Sequence, residues 1–174
     1  TTEKIVPFCQ YPGTAPGVDV TQQIVKLAVF ERHHRSGHVG LGFLGNYGLQ
    51  RGAVASSIAH DSHNLIVAGT NDADMVLAGN TVRKNKGGLA FALTGQVVGE
   101  LPLPVAGLMS TERAEAVEEK LQALKAALKA HGISEDIDAF MTFAFVSLPV
   151  IPKLRLNTYG IVDVDAQQIV PAVF

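Results

Sequence analysis

The sequence predicts an α/β or α+β fold, a mixed β-sheet sandwich with two main helices on one side. Three observations carry this. Short apolar or β-branched runs recur at 21–30, 38–44, 52–57, 65–70, 89–93 and 96–101. Two stretches, 71–85 and 110–131, have helical signatures instead. Strands and helices alternate in the middle of the chain, while its start and end are strand-rich. No internal repeat or low-complexity segment appears.

The chain has 174 residues, enough for one domain with a real core and no disulfides. Residues 1–20 are expected to form an extended lead-in, rich in Pro and Gly as far as Gly17, with one domain over 21–174. Run 21–30 is β-branched enough for a strand, and 31–37 is a polar connection. Run 38–44 alternates apolar residues with glycine and is its expected hairpin partner. Gly40, Gly42 and Gly45 there suggest close backbone approach on one face.

Runs 52–57 and 65–70 are short buried strands. Asn71 caps the next helix, with Asp72 and Asp74 in its first turn and Arg83, Lys84 and Lys86 at its end. Gly87 and Gly88 stop it. Thr94-Gly95 is a two-residue turn between strands 89–93 and 96–101. In 110–131, Ala114, Val117, Leu121, Leu124 and Leu128 fall on one helical face. Ser110 or Thr111 is the expected cap and Gly132 the stop. Run 140–150 is apolar and buried, ended by Pro149. Segments 153–156 and 160–164 lead to a last strand near 168–174.

Composition narrows the function. Charged residues make up 17% of the chain, against about 25% in typical domains. Mean hydropathy is +0.22. Such a surface is expected to be covered in part by a sister domain or another subunit. Net charge is −2, no basic stripe exists and Trp is absent, which argues against nucleic-acid binding. The single Cys9 fits a reducing compartment and a structural thiol. The N-terminus carries no signal-peptide pattern, and the longest apolar run is too short to span a bilayer. A cytoplasmic protein with no membrane contact is expected. The start at Thr1 hints at a processed product or a domain cut from something longer.

The chemistry concentrates in the middle. Five of the six histidines lie between 33 and 63. They form two clusters, Glu31-Arg32-His33-His34 and His60-Asp61-Ser62-His63-Asn64. Imidazole beside carboxylate suits proton transfer or metal ligation near neutral pH. The second cluster lies between two strand-like runs, where buried polar groups need partners. It is either a site or a loop whose Asp, Ser and Asn side chains satisfy their own backbone. Other motifs fail. Gly40-x-Gly42-x-x-Gly45 is not followed by an amphipathic helix, so it is no dinucleotide fingerprint. No P-loop and no H-x-H segment exist, and Ser56, Ser57 and Ser62 lie outside any G-x-S-x-G elbow.

Three stretches are specific beyond their spacing. They are FERHHRSGHVGLGFLGNYGLQRGAVASSIAHDSHNLIVAGTNDADM from residue 30, GELPLPVAGLMS at 99–110, and the later AFMTFAFVSLPVIPKLRLNTYGIVDVD. Together they resemble the C-terminal domain of bacterial adenine deaminase, a member of the amidohydrolase superfamily. The likeness covers nearly all of the chain after residue 20. It implies an accessory domain without the catalytic (β/α)8 barrel. In the family that barrel converts adenine and water to hypoxanthine and ammonia with a manganese or iron centre. The metal's main ligands would then lie on the barrel, with His60 and His63 the only candidates here.

The resemblance implies a barrel partner, adenine as substrate and a homo-oligomer. It puts His60, Asp61 and His63 forward as contributing catalytic residues. Ser62, Asn64, Glu31, Arg32 and His33 are its substrate-binding candidates. The family's single His after Glu-Arg is the pair His33-His34 here, which leaves the role of each open. Two other functions remain open: a non-catalytic assembly module, and a stand-alone purine-binding protein.

Overall fold

A computed structural model describes residues 18–171. The expected lead-in as far as Gly17, with Cys9, lies outside the described residues. Asp19 caps a single 3-10 turn, Val20–Gln22. A six-stranded sheet follows: β1 (Ile24–Phe30), β2 (Val39–Gly45), β3 (Ala53–Ser56), β4 (Leu65–Gly69), β5 (Gly88–Leu93) and β6 (Gln96–Pro102). Its order is β2-β1-β4-β3-β5-β6. Helix α1 (Asp72–Lys84) joins β4 to β5, and α2 (Ala114–Ala130) and α3 (Ala139–Phe145) follow β6. A second sheet holds β7 (Leu154–Asn157), β8 (Gly160–Asp163) and β9 (Gln168–Val170).

The mixture of helices and two sheets is the predicted class, in its α+β form. The large sheet, however, pairs antiparallel throughout rather than mixed. The reason is local. Helix α1 carries the chain over β3, so β4 and β5 run parallel but are separated by β3.

The helices also lie on opposite faces of the sheet, not on one. Ala53, Ala55, Val67, Ala90 and Ala92 face α1 through Ala78 and Val82. Val54, Ile66, Ala68, Leu89 and Phe91 face α2 and α3 through Leu124, Leu128, Phe140 and Phe143. The small residues admit α1 closely, and Gly79 rests against Val67. All four β3 residues are buried, so no polar alternation in the sequence marks a solvent face. Burying Leu124 and Leu128 contributes roughly 2 kcal/mol each.

One local expectation changes, and one run gains an element type. Helix α2 starts at Ala114 with Arg113 at its cap position and no side-chain cap bond. Ser110 instead accepts from the amide of Glu112, one turn too early. The buried run after Asp138 is the short helix α3, capped by Asp138. A short apolar run does not distinguish helix from strand by period.

The glycines of β2 do admit close approach. A Cβ on Gly40 would stand 1.7 Å from the Asn157 carbonyl oxygen, and one on Gly42 3.6 Å from Leu156. The small sheet lies directly on that strand, with Leu156 and Ile161 in the main core. Among the described residues no helix is long and apolar enough to cross a membrane.

Candidate functional site

One end of the sheet gathers both polar clusters. Phe30 pairs with Val39 and Leu65, and Ser56 pairs with Ile66 and Leu89. Loops 31–38 and 57–64 therefore leave the sheet side by side. The first loop closes on itself where the Glu31 amide donates to the His38 carbonyl at 3.0 Å. The Glu31 carboxylate caps it from inside, accepting from the amides of His34 (2.8 Å), Ser36 (3.1 Å) and His33 (2.5 Å). Loss of hydration pushes the Glu31 carboxyl upward. The amides of His34, Ser36 and His33 and the Ser36 hydroxyl outweigh it and bring it to about 2.

Loop 57–64 is tied to this loop residue by residue. The Arg32 amide donates to Asn64 Oδ1 at 3.3 Å. The His33 Nε2 lies 2.8 Å from the Ser62 carbonyl oxygen. The Arg32 Nε donates to the His63 carbonyl. On its other side the His60 amide donates to the Ala144 carbonyl of α3 at 3.0 Å. The His60 ring lies 4.9 Å from Phe145 and 6.0 Å from His63, centre to centre.

The candidates thus divide. Arg32, His33 and Asn64 use polar atoms to join the two loops, while the Glu31 carboxylate closes its own loop from inside. Asp61 and Ser62 are exposed, and the flanking His60 and His63 are half-buried. His63 Nδ1 is buried without a hydrogen-bond partner among the described residues. Burial, then the charges of His60 and Arg32, push the His63 imidazole down, against the pull of Asp61. The shift favours the neutral ring, one nitrogen of which is buried and unsatisfied among the described residues. Among the described residues no three His, Cys, Asp or Glu side chains converge to hold a metal ion.

A third segment belongs to this end and was not among the candidate residues. The Arg32 Nη2 donates to the Ala106 carbonyl at 2.6 Å. The Ser57 hydroxyl donates to the Gly107 carbonyl at 2.6 Å and accepts from the Gly88 amide at 2.7 Å. Gly107 sits so close to Arg32 that a Cβ would stand 2.6 Å from its Nη2. The only sequence signal for it was its place in the GELPLPVAGLMS stretch.

The GTND segment goes elsewhere. Asn71 caps α1 at the opposite end of the sheet. Asp74, almost fully buried, accepts from Asn71 Nδ2 (2.8 Å) and from the amides of Thr94 (3.1 Å) and Gly95 (2.8 Å). A cavity of about 320 Å³ opens there, lined by Arg51, Thr70, Asn71, Asp74 and Thr94 among others.

Known proteins similar to this chain agree in kind. The profile of the adenine deaminase C-terminal domain matches residues 1–168. Adenine deaminase 2 of Carboxydothermus hydrogenoformans is 50% identical over 150 residues, 86% of this chain and 26% of that protein. The adenine deaminase of Dehalococcoides mccartyi is 44% identical over 154 residues, covering 88% and 27%. That of Nitratidesulfovibrio vulgaris (strain DP4) is 51% identical over 142 residues, covering 81% and 25%. The chain spans about a quarter of the length of these relatives. It belongs to the adenine deaminase C-terminal domain family.

Proposed function

We propose that this chain works as the accessory C-terminal domain of a metal-dependent adenine deaminase and presents residues 60–63 to the purine held by the catalytic barrel. The observation that carries this is the division of labour at one end of the sheet. Arg32, His33 and Asn64 fix two loops against each other, and Glu31 braces the first loop from inside. The segment they support exposes Asp61 and Ser62, which lie in sequence between two half-buried imidazoles whose rings are 6.0 Å apart. A site built to meet a ligand needs such a supported first layer.

In the overall reaction water adds at C6 of adenine, and the exocyclic amino group leaves as ammonia. Manganese or iron, held by the barrel, would activate that water. The segment's part is at the edge of the ring. The Asp61 carboxylate accepts from the exocyclic N–H, and the Ser62 hydroxyl donates to or accepts from the same edge. The His63 ring, pushed toward its neutral form, offers a ring nitrogen that accepts a hydrogen bond or a proton. Glu31, Arg32, His33 and Asn64 act as positioning residues.

A second reading has its own support. So many polar atoms are satisfied inside the two loops that a purely structural loop, in an assembly module, accounts for them equally well. Kinetics of adenine deamination by the full-length enzyme separate the two readings. The first requires losses on substituting His60, Asp61 or His63; the second requires none.

A further inference from the structure

We propose that the turn at residues 104–109 is a docking prong for the catalytic part of the same polypeptide, held in register with residues 60–63 by Arg32. The inference rests on the accessory-domain reading above. The turn is closed by its own backbone: the Val105 amide donates to Met109 and the Met109 amide to Val105, both at 3.1 Å. Beneath, it is anchored twice, through Ala106 to Arg32 and through Gly107 to the fully buried Ser57. Its backbone is tied down, yet two of its large side chains are exposed. Val105 is 41% exposed and Met109 58%.

A rigid turn that displays apolar side chains loses little freedom when they are covered. Methionine also adapts to an uneven partner surface. Two features say what covers it. The relatives are about four times as long as the stretch this chain matches, so most of such a polypeptide lies outside it. And the guanidinium that holds Ala106 also holds the His63 carbonyl. Whatever seats on the prong is thereby placed at a fixed offset from the candidate site. That register serves a catalytic partner; a second copy of this domain has no use for it.

Methionine oxidation in the full-length protein tests this without a mutation. Met109 and Met141 are comparably exposed on this domain, at 58% and 51%. With dilute peroxide and peptide mass spectrometry, Met109 should oxidise about ten-fold more slowly in the native protein than in denaturant. A native rate equal to the denatured one overturns the proposal. Protection that disappears on dilution to the protomer also overturns it, because the cover is then a second copy. Met109→Glu should raise KM for adenine, whereas Met141→Glu should not. Protection of Met109 alongside kinetically silent changes at 60–63 keeps the prong and removes the purine-contact reading. Free oxidation of Met109 alongside impaired variants at 60–63 does the reverse.

Discussion

Arg32 and His63 are joined across the end of the main sheet, with the Arg32 Nε donating to the His63 carbonyl. The same guanidinium reaches Ala106 in the turn after β6. One side chain at the end of β1 thus holds two segments that arrive from other strands.

Arg32→Lys keeps the charge but loses the planar fork that bonds two carbonyls at once. The substituted chain should be less stable by about 2 kcal/mol, seen as a lower midpoint in urea unfolding of the 174-residue chain. A midpoint equal to that of the parent would show that the Arg32 bonds contribute nothing net.

Glu31 makes the first loop sensitive to acid. Its folded carboxyl sits at about 2, below its ordinary 4.5. A depressed carboxyl stabilises the fold above the unfolded value, and that contribution fades as pH falls from about 4.5 toward about 2. Glu31→Gln should therefore be less stable than the parent at pH 7, and the gap should narrow below pH 4.5. Thermal unfolding of both chains across that range checks it. A gap independent of pH would remove the carboxylate from the account.

Gly40→Val tests the contact between the two sheets. The new side chain meets the Asn157 carbonyl at a distance no Cβ tolerates. Overpacking of this kind costs roughly 1–3 kcal/mol. Hydrogen exchange should rise over β7 and β8 before it rises over β3 and β4. Uniform exchange across both sheets would argue against a locally displaced small sheet.

Asp74→Ala strips the N-terminus of α1 of a carboxylate that accepts from the Thr94 and Gly95 amides and from Asn71. The expected loss is about 2–3 kcal/mol of stability. Because Asp74 stands at the far end of the sheet from residues 60–64, kcat for adenine in folded full-length enzyme should stay as in the parent. A large fall in kcat without a fall in stability would place function at the wrong end.

Much of the architecture was legible in the sequence because local chemistry decides it. Asn71 caps α1 as its position suggests, and Thr94-Gly95 makes the β5–β6 turn with both residues at positive φ. The glycines of β2 mark a close approach that does occur. What local pattern cannot express is which face of a doubly buried strand meets which helix. That is why α1 and α2 were expected together and lie apart. The two polar clusters were legible as residue types, and loops 31–38 and 57–64, which carry them, do meet. The division into supporting and presenting groups was not, because it depends on bonds between residues about 30 positions apart in sequence, such as Arg32 to His63. The bonds from Arg32 to Ala106 and from Ser57 to Gly107 were hidden for the same reason.

The central claim is that residues 60–63 touch the purine. Its most direct test is kcat/KM for adenine in full-length enzyme carrying Asp61→Asn, His60→Gln or His63→Gln, each checked for an unchanged fold. The account predicts a fall of about 100-fold or more in at least one of the three, the scale of a lost acid–base group. Values equal to the parent in all three would contradict it and leave the loop a structural one.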